Sequence, residues 1–353
     1  MRLSVADVLR ELRTERLATD AADAPARAAL QPELDADLPW FLRIAVGLGA
    51  WFATAFLLGF VAAVAQRDEP IARIIVGAVL IAVGGYARRS TVSEFRKHGA
   101  IACSMAGQGL ILAGVHELGD SARLTAAVLI AMSLGLLWIV RDALHRFLST
   151  LAAVVAVYIL VIGEHPTGAG YEMVTIALAV GASLVWRFKV GNRSPATAEM
   201  LQPAGYALIV VLFAAMLAAT VTHFHTVSMD PGRGVRLGNA LTIAVMLLLA
   251  YLAWRINDEH RMSGTRAGFA AITGVLVLGV ATLSSPGIIA GAAVLALAFD
   301  RRDRVLLGMG VIFLLVFGSV FYYSLHVSLM EKAGVLTGSG LLLLAIRHRL
   351  VRA

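Results

Sequence analysis

The chain has 353 residues, 59% of them hydrophobic and 15% charged, with a formal net charge of +7. A soluble domain carries about 45–50% apolar and about 25% charged residues. These proportions, with most of the basic residues in the polar arm or in turns between apolar blocks, exclude an ordinary soluble enzyme or a nucleic-acid-binding domain.

Residues 1–38 come first and are polar. They hold no apolar core of the secretory-signal kind and predict a short soluble arm. Ser4 followed by Asp7 suggests a helix N-cap. Val5, Val8, Leu9, Leu12 and Leu17 fall near one face of that helix. It either packs on the rest of the protein or lies on a membrane surface or a partner. Asp20–Pro39 reads as a linker.

Twelve apolar runs follow, at residues 41–65, 71–87, 99–116, 123–140, 147–163, 171–187, 203–222, 237–254, 267–283, 287–299, 305–323 and 333–347. Most approach the roughly 20 residues that a membrane-spanning helix needs. Runs such as Leu241–Trp254 lack the polar stripe of a soluble helix. In lipid every backbone N–H and C=O needs an internal partner, so the runs are predicted as helices. The expected fold is all-α: a polytopic transmembrane bundle of about 12 helices, or 10 plus one re-entrant hairpin, over residues 39–350. The single cysteine, Cys103, lies inside one run and leaves no disulfide framework or cysteine metal cluster.

Orientation follows from the basic residues, which favour the cytoplasmic loops. With the N-terminus inside and the runs alternating, Arg67, Arg73, Arg123, Arg233, Arg236 and Lys332 fall outside and the other 24 of 30 fall inside. Both termini are therefore expected in the cytoplasm. One pair of runs escapes this test. Ala267–Phe299 carries Ser284-Ser285-Pro286-Gly287 in its middle, and its second half, at about 1.5 Å per residue, is short for a bilayer core. It either spans twice or enters and leaves from the same side; interrupted short spans mark binding sites in some transporters.

No phosphate-binding loop with lysine, HExxH or GxSxG is present. The pairs Gly107/Gly109, Gly168/Gly170 and Gly338/Gly340 read as close-packing positions. Ionisable groups at mid-membrane depth are functional candidates, and the span centres hold almost none. Gln108 is the most central strong hydrogen-bonding side chain, either bonded to a neighbouring helix or lining a polar cavity.

The outer turns collect His116, Glu117, Glu164, His165, His223, His225, Tyr322, Tyr323, His326, Glu331 and Lys332. Histidines and carboxylates of this kind can ligate zinc or another divalent metal, yet their spacing over several turns fixes no metal site and none is assigned. A pocket for a lipid headgroup or a partner surface is the alternative. Tyr322 and Tyr323 also fit interface anchors.

Pro39–Phe60 (PWFLRIAVGLGAWFATAFLLGF), Cys103–Gly114 (CSMAGQGLILAG) and above all Phe321–Arg347 (FYYSLHVSLMEKAGVLTGSGLLLLAIR) together resemble the bacterial domain-of-unknown-function family 4401 over about residues 35–350. Ala333 stands where that pattern has serine. The resemblance implies a multi-pass inner-membrane protein of undetermined activity, accompanied by a second membrane protein named for a GDYxxLxY motif. It implies no catalytic residue and no cofactor. Three functions follow as expectations: a component of a membrane complex with a transport or envelope role, a secondary transporter with its pathway near Gln108 and the 284–287 hairpin, or a membrane enzyme acting on a lipid headgroup at the outer cluster. The first is expected, with the lipid bilayer as surroundings and no nucleic acid as partner.

Overall fold

A computed structural model describes residues 69–89, 94–140, 142–162, 169–191, 195–229, 231–259 and 285–324, with isolated positions between 48 and 59, between 273 and 279, and at 337. Among the described residues there are nine continuous helices and no strand. They are α1 (Pro70–Arg89), α2 (Glu94–Gly119), α3 (Ala122–Ile139), α4 (Ala143–Ile162), α5 (Ala169–Gly191), α6 (Pro195–Met229), α7 (Pro231–Glu259), α8 (Pro286–Arg301) and α9 (Arg304–Ser324). Eight are long and apolar enough to cross a membrane; α8, with 16 residues, is not among them. The chain is thus an all-helical, multi-pass membrane protein. The expected arm at 1–38, both termini, and most of the runs at 41–65, 267–283 and 333–347 lie outside the described residues.

The chain divides into two compact units, Met1–Asp120 and Ser121–Ala353. In the first, α1 packs antiparallel on α2 through small residues. A Cβ built on Gly77 would lie 2.6 Å from the Gly107 carbonyl oxygen, and one on Gly107 would lie 2.5 Å from that of Gly77. Gly84 meets the Ala100 carbonyl in the same way, and Gly114 that of Pro70. Positions 70, 77 and 84 thus face 114, 107 and 100. Seven-residue spacing keeps a seam facing its partner along two helices that wind around one another, and only glycine lets the backbones approach this closely. The face of α1 carrying Ile71, Ile75, Val79 and Val83 is exposed, as suits contact with lipid. At the far end of α2, Asp120 adopts φ 41°, and its N–H donates to the His116 carbonyl at 2.8 Å, closing the helix.

The second unit has a core of large side chains. Helices α3 and α4 pair, α8 and α9 pair, and α6 packs against α4, α5, α7, α8 and α9. Trp186, Ile209, Met216, Leu241, Leu252, Ile289, Leu306 and Phe317 are fully enclosed. The rings of Phe213, Phe313 and Phe317 meet at centroid distances of 4.3, 5.4 and 6.2 Å. Helix α8 is wrapped by its neighbours, nine of its residues being buried. Its length, about 24 Å at 1.5 Å per residue, falls short of a bilayer core of about 30 Å. Pro286 opens it at a position where the missing N–H is harmless. Gly287 lies where any Cβ would run into the Phe317 ring. The break expected at 284–287 is therefore the start of this helix, and the crossing of the preceding run lies outside the described residues.

Contacts align the helix ends. Arg187 near the end of α5 pairs with Glu259 at the end of α7 at 2.7 Å. The Trp186 ring meets that of Tyr206, in the first half of α6, at 5.1 Å. The Tyr206 hydroxyl reaches Asp303, between α8 and α9. Arg187, Arg255, Arg301, Arg302 and Arg304 thus gather toward one end of this unit. At the opposite end the Tyr158 hydroxyl meets Thr175 Oγ1 at 2.9 Å, and Tyr171 donates to the Ala215 carbonyl, joining α4, α5 and α6.

Candidate functional site

At the basic end of the second unit, a cavity of about 510 Å³ opens between the beginnings of α4 and α6. Ala143, Leu144, Arg146 and Phe147 line it from α4, and Gln202, Pro203 and Tyr206 from α6. The local sequence builds both walls. Asp142 caps α4: its Oδ1 accepts the His145 N–H at 2.9 Å and its carbonyl accepts the Arg146 N–H at 2.9 Å. The buried His145 then meets Ser149 across one helical turn, Nδ1 to Oγ at 3.1 Å. On α6, Gln202 and Tyr206 stand four residues apart, hence on one face, and Gln202 Nε2 donates to the Tyr206 hydroxyl at 3.1 Å. Pro203 between them is inside the helix and removes one backbone hydrogen bond.

Tyr206 in turn donates to the Asp303 carboxylate, at 3.0 and 2.9 Å from its two oxygens. Asp303 Oδ1 also accepts the N–H groups of Val305 at 3.1 Å and Leu306 at 3.0 Å, capping α9. Arg146 is only 8% exposed, and its Nε has no hydrogen-bond acceptor. A guanidinium offers donors only and stays charged at ordinary pH, so what Arg146 brings to this cavity is recognition of negative charge, not proton transfer. Among the described residues no three His, Cys, Asp or Glu side chains could hold a metal ion.

The residues singled out in the sequence lie elsewhere. Gln108 is 2% exposed in α2. Its Nε2 donates to the Ser104 carbonyl at 3.4 Å and meets Met105 Sδ at 3.5 Å, both on its own helix, while its Oε1 is buried without a donor. His116 and Glu117 are exposed in the last turn of α2. Glu117 pairs with Arg73 of α1 at 2.5 Å. Tyr322 and Tyr323 close α9 with their rings edge to face at 5.5 Å. His223 and His225 fall in the C-terminal part of α6, with their side chains outside the description. Glu164, His165, His326, Glu331 and Lys332 lie outside the described residues. Within each unit, the members of the expected outer cluster whose side chains are described are sequence neighbours, His116 with Glu117 and Tyr322 with Tyr323.

Sequence reasoning missed Arg146, Gln202, Tyr206 and Asp303. Arg146 counted only toward orientation. Gln202 and Tyr206 carried a readable signal, two polar side chains one turn apart at the edge of an apolar run. Tyr206 and Asp303 are 97 positions apart, and no local pattern pairs them.

A family model described as "Domain of unknown function (DUF4401)" matches residues 39–353. The chain belongs to this family over nearly its whole length. No curated protein and no solved structure matches it.

Proposed function

We propose that this multi-pass protein resides in a bacterial inner membrane with both termini in the cytoplasm, and serves as a non-catalytic component of a membrane complex with a transport or envelope role. A second membrane protein of the GDYxxLxY type is the proposed companion. One observation carries the reading. Among the described residues, a cavity of only about 10 Å³ lies between α5, α6, α7 and α8, lined by apolar side chains and Ser183. One water needs at least about 10–15 Å³ by such a measure. A filled centre suits a structural subunit better than a solute route. The gathering of Arg187, Arg255, Arg301, Arg302 and Arg304 toward one end supports the orientation, since cytoplasmic loops carry the excess of arginine and lysine.

A second reading, a secondary transporter with its pathway near Gln108 and the 284–287 hairpin, has one observation in its favour. The Gln108 amide oxygen is buried without a donor, and an unmet acceptor costs about 1–3 kcal/mol, which a bound solute could offset. One experiment separates the two. The full chain, solubilised gently from native membranes, is expected to bring down a stoichiometric membrane protein, and Glu331→Lys is expected to release it. A preparation that carries no partner, yet moves solute across reconstituted vesicles in a Gln108-dependent way, overturns the first reading in favour of the second.

A further inference from the structure

We propose that the cavity between α4 and α6 binds the phosphate oxyanion of an anionic ligand, with Arg146 as its charged contact. The argument begins from how the other arginines of this end are held. Arg187 pairs with Glu259 at 2.7 Å. Arg301 lies beside the Asp300 carboxylate at 2.8 Å. Arg255 has its guanidinium carbon 5.9 Å from the Trp254 ring centre. It also sits in the closing turns of α7, where the helix dipole favours a cation. Arg302 and Arg304 are exposed to solvent.

Arg146 has none of these supports. It occupies the first turn of α4, where the dipole favours anions and disfavours a cation. It is 8% exposed, its Nε meets no acceptor (as is true also of Arg255 and Arg301), and unlike those two it has neither an ion pair nor a ring contact among the described residues. The carboxylates nearby are engaged: Asp142 caps α4 and Asp303 takes Tyr206 and two backbone N–H groups. A buried charge is strongly unfavourable unless paired; among the described residues no ion pair contacts this one, and an anionic ligand would supply it.

The surroundings fit that ligand. A volume of about 510 Å³ lies within the roughly 300–1,000 Å³ of small-molecule sites. Phe147 and Pro203 supply apolar wall, and Gln202 and Tyr206 supply polar groups from the facing helix. Basic pockets between transmembrane helices on the cytoplasmic side take lipid headgroups, and a guanidinium fork matches phosphate geometry. The oxyanion can come from an anionic phospholipid or from a soluble phosphate ester.

The full chain in phosphatidylcholine nanodiscs tests this in two arms. Phosphatidylglycerol is titrated in one, with bound lipid counted by native mass spectrometry. Glycerol phosphate is titrated in the other, with thermal stability as readout and chloride as control. One arm is expected to respond and so to name the source. Arg146→Gln is expected to weaken that response at least ten-fold, Ala143→Trp to weaken it by filling the cavity without changing charge, and Arg187→Gln to leave it unchanged. Silence in both arms overturns the proposal, as does equal weakening by Arg146→Gln and Arg187→Gln. Should Arg146→Gln fail to fold, a full response in Ala143→Trp overturns it alone.

Discussion

In the first unit α1 meets α2 backbone to backbone, at Gly77, Gly84, Gly107 and Gly114; in the second, α6 meets α9 through the rings of Phe213, Phe313 and Phe317. Both solutions answer the same difficulty. Lipid tails are as apolar as leucine, so burying apolar surface between helices gains little and association rests on the density of contact. A glycine seam reaches that density by bringing main chains together, with no side chain left to adjust. A phenylalanine cluster reaches it by interdigitation, and its rings can shift. The first unit should therefore be brittle along one line, and the second tolerant at any one point.

The seam gives the largest expected effect. A Cβ at position 107 already lies 2.5 Å from a main-chain oxygen of α1, and a main chain cannot rotate aside. Gly107→Leu is expected to part α1 from α2. Cys103, one turn earlier and the only cysteine, reports this by alkylation at least ten-fold faster than in the unchanged protein. Gly109→Leu is the control, because nothing lies within 4 Å of its Cβ; equal rates in the two variants would refute the seam. The second unit is expected to yield less. Phe317→Ala removes a fully enclosed ring. With little transfer term to lose in lipid, the cavity term of about 24 cal/mol per Å³ sets a cost of about 2 kcal/mol, measurable as a lowered midpoint of denaturant unfolding with the helical content retained. A loss of folded protein as complete as that of Gly107→Leu would erase the contrast.

The same contrast explains what could be read beforehand. The runs at 71–87, 123–140 and 305–323 are α1, α3 and α9 within a residue or two, because an apolar stretch in lipid has one way to satisfy its backbone. Helices α6 and α7 run well past the runs at 203–222 and 237–254, since polar residues beyond the bilayer keep their helical hydrogen bonds and hydropathy cannot mark that limit. The pair Gly107/Gly109 signalled close packing; that position 107 meets 77 while 109 meets nothing within 4 Å depends on pairing two helices, which composition does not encode. The cavity was least legible. Arg146 reads in the sequence as one more basic residue of a cytoplasmic loop, and it becomes distinctive only when its neighbours are seen to have a carboxylate, a ring or solvent beside them while it is buried without an ion pair among the described residues.

Ion pairs at the helix ends give the smallest effect and compare the units most finely. Arg73–Glu117 closes one end of the first, Arg187–Glu259 one end of the second. Their exposures nearly match, 18% and 45% against 18% and 40%, so each pair is worth only about 0–1 kcal/mol. The helix dipoles tell them apart. Arg73 stands in the first turn of α1, where a cation is disfavoured, and Arg187 stands within about a turn of the end of α5, where it is favoured. Arg73→Gln loses a pair but relieves an unfavourable charge, and is expected to leave stability within about 0.5 kcal/mol of the original. Arg187→Gln loses both supports and is expected to cost about 1 kcal/mol. The difference should shrink in high salt, which screens exposed charges. Unfolding midpoints at low and high ionic strength measure it, and a greater loss from Arg73→Gln would mean that the pairs, not the dipoles, set the order.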